Sequence, residues 1–221
     1  MSIGENVQRI RTELPPGVFL VAASKMNGVD AVREAIAAGV DACGENRVQE
    51  LLEKDALGAY AGVQKHFIGH LQRNKVKSVV GRCDLIQSVD SEELLELIDR
   101  RAAALGIRQD ILLEVNIGGE AAKSGVAPEA LPALLEIAAG KKQLCVRGLM
   151  TIPPICTQKD ESRRYFSAMY KLFVDISGKK YDNISMDFLS MGMSADYLQA
   201  VQEGSNMVRI GTAVFGARNY A

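Results

Sequence analysis

The chain has 221 residues with 26 Lys and Arg against 27 Asp and Glu, so no positive surplus draws it to nucleic acid or to an anionic membrane surface. Its hydrophobic fraction of 48% is ordinary, and no apolar run approaches the roughly 20 residues that a bilayer-spanning helix needs. Two histidines and four scattered cysteines, with no CxxC pair, are poor material for a zinc site or a disulfide framework. Cys43, Cys83, Cys145 and Cys156 are therefore expected as small, buried, reduced thiols. Met1 to Arg11 lacks the apolar centre of a secretory signal, so the expected setting is the cytoplasm and the expected partner a small molecule.

In chain order, a helix over Ile3 to Glu13 precedes Pro15-Pro16-Gly17, and the apolar run Val18 to Ala23 reads as the first strand. A helix over Val29 to Ala38, stopped by Gly39, leads to a short strand near Ala42. The alternation continues with a helix over Val48 to Leu57, a strand at His66 to Ile68, a helix at Arg73 to Val80 and a strand at Leu85 to Val89. Ser91 is the expected cap of a long helix ending at Leu105, with Glu92 and Glu93 favourable at its positive end. Ile111 to Asn116, with an unbroken Ile-Leu-Leu run, suits a parallel strand covered on both faces. Helices at Pro128 to Ala139, Asp160 to Ile176 and Ala195 to Glu203 alternate with strands at Val146 to Thr151, Ser185 to Ser190 and Met207 to Ile210. Eight such units in one 221-residue domain, with no GxGxxG turn after the first strand, predict an α/β fold of the (β/α)8 TIM-barrel type.

Barrel chemistry sits where strands end. Lys25 directly follows the first strand, where partial shielding from water lowers a lysine pKa and suits it to Schiff-base formation with a carbonyl compound. Ser190-Met191-Gly192-Met193-Ser194 follows the seventh strand, and Gly211-Thr212 follows the eighth. Small residues and hydroxyls in those two loops predict a phosphorylated ligand. Arg209 points opposite to Val208 and Ile210, into the barrel, and needs an acceptor there: a ligand's ring nitrogen, or a core carboxylate such as Asp187 or Glu114. An arginine against a pyridine nitrogen would keep that nitrogen unprotonated and weaken the ring as an electron sink. His66 and His70 are not expected to form a metal pair, because their segment reads as a strand entering a turn.

The motifs Val21 to Lys25, Gly44-Glu45-Asn46-Arg47-Val48-Gln49-Glu50, His66 to Lys75, Glu114-Val115-Asn116, Lys123-Ser124-Gly125 and Gly148 to Pro153 follow one another along the chain. With Ser190 to Asp196 and Arg209 to Gly216, the ordered set resembles the pyridoxal phosphate homeostasis (YggS/PROSC) family, whose fold is that of the alanine racemase barrel domain. The resemblance implies pyridoxal 5'-phosphate (PLP) as cofactor, bound to Lys25 as an internal aldimine. It also implies Arg209 at the pyridine nitrogen, Ser190, Ser194, Gly211 and Thr212 at the phosphate, Asn46 beside the ring, and Met191, Gly192 and Met193 as backbone and wall contacts. Cys43, Lys65 and Met26-Asn27 depart from the family pattern at the pocket's edge.

The resemblance further implies a carrier, with no catalytic residue. Alanine racemase takes its second base, a tyrosine, from a further domain of the partner subunit, and this chain ends at Ala221; Tyr60, Tyr165, Tyr170, Tyr181, Tyr197 and Tyr220 fall mostly in helices or at the terminus. A monomer that buffers PLP and passes it to PLP-dependent apo-enzymes is expected. The alternatives are a small PLP-dependent amino-acid racemase and a Schiff-base aldolase acting on a sugar phosphate. Lys123 reads either as a transient second site for the cofactor or as a solvated loop lysine.

Overall fold

Ser2 opens the first helix as a capping box: its hydroxyl accepts from the Glu5 amide while the Glu5 carboxylate accepts from the Ser2 amide. The computed structural model describes residues 1–156 and 161–216. Along it run α1 (Ile3–Glu13), β1 (Phe19–Ala23), α2 (Val29–Ala37), β2 (Ala42–Glu45), α3 (Val48–Ala56), β3 (Gln64–Phe67), α4 (Val76–Val79), β4 (Leu85–Val89) and α5 (Glu92–Leu105). They are followed by β5 (Gln109–Glu114), α6 (Leu131–Ala139), β6 (Leu144–Met150), α7 (Arg163–Ser177), β7 (Ile184–Ser190), α8 (Tyr197–Gln202), β8 (Met207–Ile210) and α9 (Thr212–Phe215). The eight strands are parallel and close into one barrel in sequence order, as expected from the alternation of strands and helices.

Several boundaries differ from the sequence reading, each for a local reason. The helices expected from Arg73 and from Pro128 begin with single 3-10 turns, Arg73–Lys75 and Pro128–Ala130, before α4 and α6. Ser91 has the extended backbone of a cap, but its hydroxyl makes no capping bond. β5 starts two residues earlier than expected because the amide of buried Gln109 is satisfied within the fold, accepting from Gly81 N–H and donating to the Cys83 carbonyl. Asn116 lies past the end of β5 and bonds Glu120 instead. The expected start at Asp160 of the helix after the sixth strand, and Tyr220, lie outside the described residues.

Period-two alternation divides the apolar side chains into two sets. Val21, Ala42, Leu85, Leu112, Met150 and Met207 fill the barrel lumen, while Leu20, Ala22, Cys43, Ile111, Leu113 and Leu189 pack outward against the helices. Cys43 and Cys83 are buried and burial pushes both thiols up to about 12, so they remain protonated and inert. Cys145 and Cys156, expected to be buried too, are partly exposed, and all four cysteines are free. The β7–β8 seam has a single register pair, Ser190 with Met207, where β1 and β8 have four. Two backbone bonds continue the seam past the end of β7, Met191 N–H to the Met207 carbonyl at 3.1 Å and Arg209 N–H to the Gly192 carbonyl at 3.0 Å. Side chains add to them: Leu189 N–H donates to Asn206 Oδ1 at 2.7 Å, Asn206 Nδ2 donates to the Asp187 carbonyl at 2.7 Å, and Ser205 Oγ donates to the Met191 carbonyl at 2.8 Å.

Candidate cofactor site

Alternation along β1 sends Val21 into the lumen and Ala22 outward, so Lys25, two steps beyond Ala23, is on the lumen side of the strand's carboxyl end, half-buried. Ser24 faces outward and is fastened there. Its hydroxyl donates to Glu45 Oε1 at 2.6 Å, and its carbonyl accepts from Lys54 Nζ at 2.8 Å. Lys54 also pairs with Glu45 Oε1 at 2.7 Å, and the Tyr60 hydroxyl donates to the same oxygen at 3.1 Å. Met26, just after the lysine, has φ 62, which is costly for a side chain with a Cβ; its N–H donates to Glu50 Oε2 at 2.6 Å. Lys25 therefore projects from a backbone held on both sides.

Arg209 is 3% exposed on the lumen side of β8. Its acceptors are not the carboxylates considered from sequence: Nη1 donates to Ser190 Oγ at 2.6 Å and Nη2 to the Thr151 carbonyl at 2.9 Å, while Asp187 pairs with Arg147 at 2.7 Å. Desolvation pulls the guanidinium down to about 10, opposed by the field of Glu114 and Asp196, and it stays charged at neutral pH. Ser190 departs from its expected role at a phosphate. Its hydroxyl is fully buried, accepts from Arg209 and donates to Gln87 Oε1 at 2.7 Å, so it supports the arginine. Met191 also departs from expectation: its side chain is in the outer core, its N–H donates to the Met207 carbonyl and its own carbonyl accepts from Ser205.

The two loops expected to hold an anion are tied to each other. Ser194 Oγ accepts from Ala213 N–H at 3.1 Å, which joins the loop after β7 to the first turn of α9 behind Gly211 and exposed Thr212. Gly192 has φ 93, and a Cβ there would lie 2.6 Å from that of Ala200, so only glycine lets the loop pass this close to α8. The Gly192 carbonyl accepts from Arg209 N–H at 3.0 Å, and Met193, partly exposed, donates its N–H to Asp196 Oδ1 at 2.7 Å.

Asn46, at the end of β2, lines two cavities on the barrel rim, one of about 360 Å3 shared with Arg47, His70 and Lys75, the other of about 230 Å3 shared with His70, Glu114, Lys123 and Ser124. Its Oδ1 is buried and meets no hydrogen-bond partner. Lys123 is half-buried, with Glu120 Oε2 at 2.5 Å and the Pro153 carbonyl at 3.0 Å, so it is paired and not simply solvated. His66 lies in the lumen and His70 beside Ser124, and among the described residues no cluster of three or more potential ligands could hold a metal. The residues suit a phosphorylated pyridine aldehyde: a shielded amine on β1, a fixed cation on β8, an orphaned amide oxygen at Asn46, and two linked small-residue loops after β7 and β8.

Glu114, weighed from sequence only as a partner for Arg209, is pushed up to about 7 by burial and the nearby charge of Asp90, with Arg209 acting the other way. A carboxyl raised in the folded state makes the fold most stable below its unfolded pKa, and that stability is lost as pH rises through the folded one. Glu114→Gln is expected to abolish a decline in stability of up to about 3 kcal/mol between about pH 4.5 and about pH 7. His66, pulled down to about 3 by burial, has the opposite sign: its stability is lost as pH falls below about 6.5. Urea midpoints measured across that range check both signs, since the variant should lose the falling component and keep the rise that His66 contributes.

Fold and site together define a member of the alanine racemase N-terminal domain family, which the chain matches over residues 1–219. Within it, the chain belongs to the pyridoxal phosphate homeostasis family that its motifs resemble. It is 43% identical to the pyridoxal phosphate homeostasis protein of Aquifex aeolicus over 201 residues, 91% of this chain and 87% of that protein. Identity to the protein of that name from Pseudomonas aeruginosa is 38% over 229 residues, covering 99% of this chain and 97% of the other. The solved structure of PipY from Synechococcus elongatus with PLP bound superposes with a TM-score of 0.90 at 37% identity, covering 97% of this chain and all of PipY.

Proposed function

We propose that this protein binds PLP covalently and reversibly through Lys25, buffers it in the cytoplasm and passes it to PLP-dependent apo-enzymes, acting as a monomer and without robust catalysis of its own. The observation that carries the reading is the pairing, at one end of one barrel, of half-buried Lys25 with the buried and doubly anchored Arg209. When bound, PLP would supply an aldehyde for the lysine and a conjugated ring; Arg209 would face the pyridine nitrogen and, as a donor-only cation, keep it unprotonated. Asn46 would lie beside the ring. Gly192, Ser194, Gly211 and Thr212 would hold the phosphate, and Ser190 would act through Arg209. Four of the five described tyrosines support a carrier, since the hydroxyls of Tyr60, Tyr181 and Tyr197 donate to Glu45, Glu136 and Glu13, and that of Tyr165 accepts from Arg164, while the fifth, Tyr170, is exposed on α7.

One observation favours a slow amino-acid racemase as a second reading. Glu114 ends β5, four strands round the ring from β1, as a buried carboxyl raised to about 7, a proton acceptor where the sequence offered none. The test is a titration of the protein with PLP, followed by borohydride and mass mapping. A visible band that becomes a fixed adduct on Lys25, and that is lost in Lys25→Ala, is expected; no band in the wild type would overturn the PLP reading. Incubation of the loaded protein with L-alanine separates the two readings. Racemisation far above that of free PLP, and sensitive to Glu114→Gln, would replace the carrier by the racemase.

A further inference from the structure

Below the cofactor site a file of polar side chains runs down the barrel lumen. Arg209 Nη1 donates to Ser190 Oγ at 2.6 Å, Ser190 Oγ to Gln87 Oε1 at 2.7 Å, and Gln87 Nε2 to His66 Nδ1 at 2.9 Å. His66 Nε2 then meets Gln64 Oε1 at 3.0 Å. Ser190, Gln87 and His66 are completely buried, while Gln64 at the far end is exposed.

The direction of the file follows from its first member. A guanidinium has only donors, so the Ser190 oxygen must accept and its proton must pass onward. Gln87 must then show its oxygen to Ser190 and its amide nitrogen to His66. Nδ1 of the imidazole is thereby left bare, and the ring proton belongs on Nε2, where Gln64 accepts it. Reversing any link sets two donors, or two acceptors, face to face in a buried space. Packing holds the same groups. Phe19 stacks on His66 with centroids 5.6 Å apart and planes 5° from parallel, and Gln87 Nε2 also lies 3.3 Å from Met207 Sδ.

We propose that Gln87 and His66 are positioning residues for the cofactor site: through the Ser190 hydroxyl they hold the Arg209 guanidinium in one orientation, and Arg209 in return dictates the tautomer of His66. The inference rests on the reading of Arg209 as the group that faces the pyridine nitrogen. The second anchor, from Nη2 to the Thr151 carbonyl, retains the cation in the lumen when the file is cut, so cutting it costs orientation and not charge.

Two measurements test this. The chain has two histidines, so their nitrogen resonances are easily assigned by NMR in the cofactor-free protein. Wild-type His66 is expected as the neutral Nε2–H tautomer. Gln87→Glu, of the same shape but accepting at both oxygens, should move a proton to Nδ1. Ser190→Ala, which removes a group that does not touch His66, should yield a mixture of tautomers because Gln87 is then free to turn. In PLP titrations, Gln87→Leu is expected to weaken binding by about tenfold and to shift the absorption band of the bound cofactor, an effect that loss of general packing would not produce. Should Gln87→Leu fail to fold, Ser190→Ala and Gln87→Glu carry the same comparison. Wild-type nitrogen shifts in Ser190→Ala, or wild-type affinity and band in folded Gln87→Leu, would overturn the proposal while leaving PLP binding intact. Absence of any PLP band in the wild-type protein would overturn the parent reading, and the roles given to Gln87 and His66 with it.

Discussion

Lys54→Met is expected to lower the stability of the fold by about 3–5 kcal/mol, the loss that follows when one member of a buried ion pair is removed. Lys54 and Glu45 side chains are 8% and 0% exposed, and three donors converge on one oxygen of Glu45, those of Lys54, Ser24 and Tyr60. The other oxygen, Oε2, is buried and has no partner. Without the ammonium, two neutral hydroxyls face a carboxylate whose solvation water cannot replace. At about 2–4 °C per kcal/mol for a chain of this size, the melting temperature should fall by roughly 10 °C. Adding Glu45→Leu should restore part of that loss, since an apolar pair carries no desolvation penalty, but not all of it, because Ser24 and Tyr60 then lose their acceptor. Thermal melts of the single and double variants check the sign. A Lys54→Met protein as stable as wild type would show that the pair contributes nothing. The same substitution frees the Ser24 carbonyl, so PLP uptake by Lys25 should also slow.

Gly148→Ala is the second large effect, with an expected loss of about 4 kcal/mol or more. Gly148 stands in β6 with φ 142, and a Cβ there would lie 1.9 Å from the Phe188 carbonyl oxygen of β7, a rigid backbone atom with no room to retreat. The register between these strands is irregular at this point, between Val146 and Gly148. Accommodating a methyl group means prising β6 from β7, and the Thr151 carbonyl just past β6 and the Ser190 hydroxyl at the end of β7 receive Arg209. Stability and PLP affinity should therefore fall together. Gly140→Ala serves as the control: its φ is −76 and its new Cβ would meet only the Ile137 carbonyl at 3.4 Å, so denaturation midpoints should barely move. If Gly148→Ala melted with that control, the close approach of the two strands would be wrong.

The barrel was legible because its strands are short apolar runs between well-marked helices; β4 and β8 lie where the residues predicted, and Lys25 and Arg209 followed from strand ends and alternation. Ser190 was read as the last residue of its strand but grouped with Met191 and the loop that follows, so the alternation that places both was not applied to them. β7 runs through Ser190, so the argument that turns Arg209 inward also turns Ser190 inward with Phe188 and sends Met191 to the outer core. That signal was present in the sequence. The partners of Gln87, His66 and Glu45 were not. Each bond joins residues brought together only by ring closure or by a helix folding back on its strand, and no local pattern records such pairings. Glu114 belongs with them, since its raised pKa comes from burial and from Asp90 and Arg209, on neighbouring or distant strands.

The thin seam between β7 and β8 gives the proposed ligand a mechanical part to play. A closed barrel resists opening at every strand pair, but here a single ladder pair, two backbone bonds at Met191 and Gly192 in the loop after β7, and a few amide and hydroxyl side chains from Ser205 and Asn206 carry the load. The loops assigned to the phosphate leave from the two sides of that seam, already linked by Ser194 and Ala213. An anion gripped by both loops would act as a clasp on the ring, and its departure would leave the barrel freer to breathe beside the proposed phosphate site. Amide exchange along β7 and β8 should therefore be the part of the molecule most altered by loading.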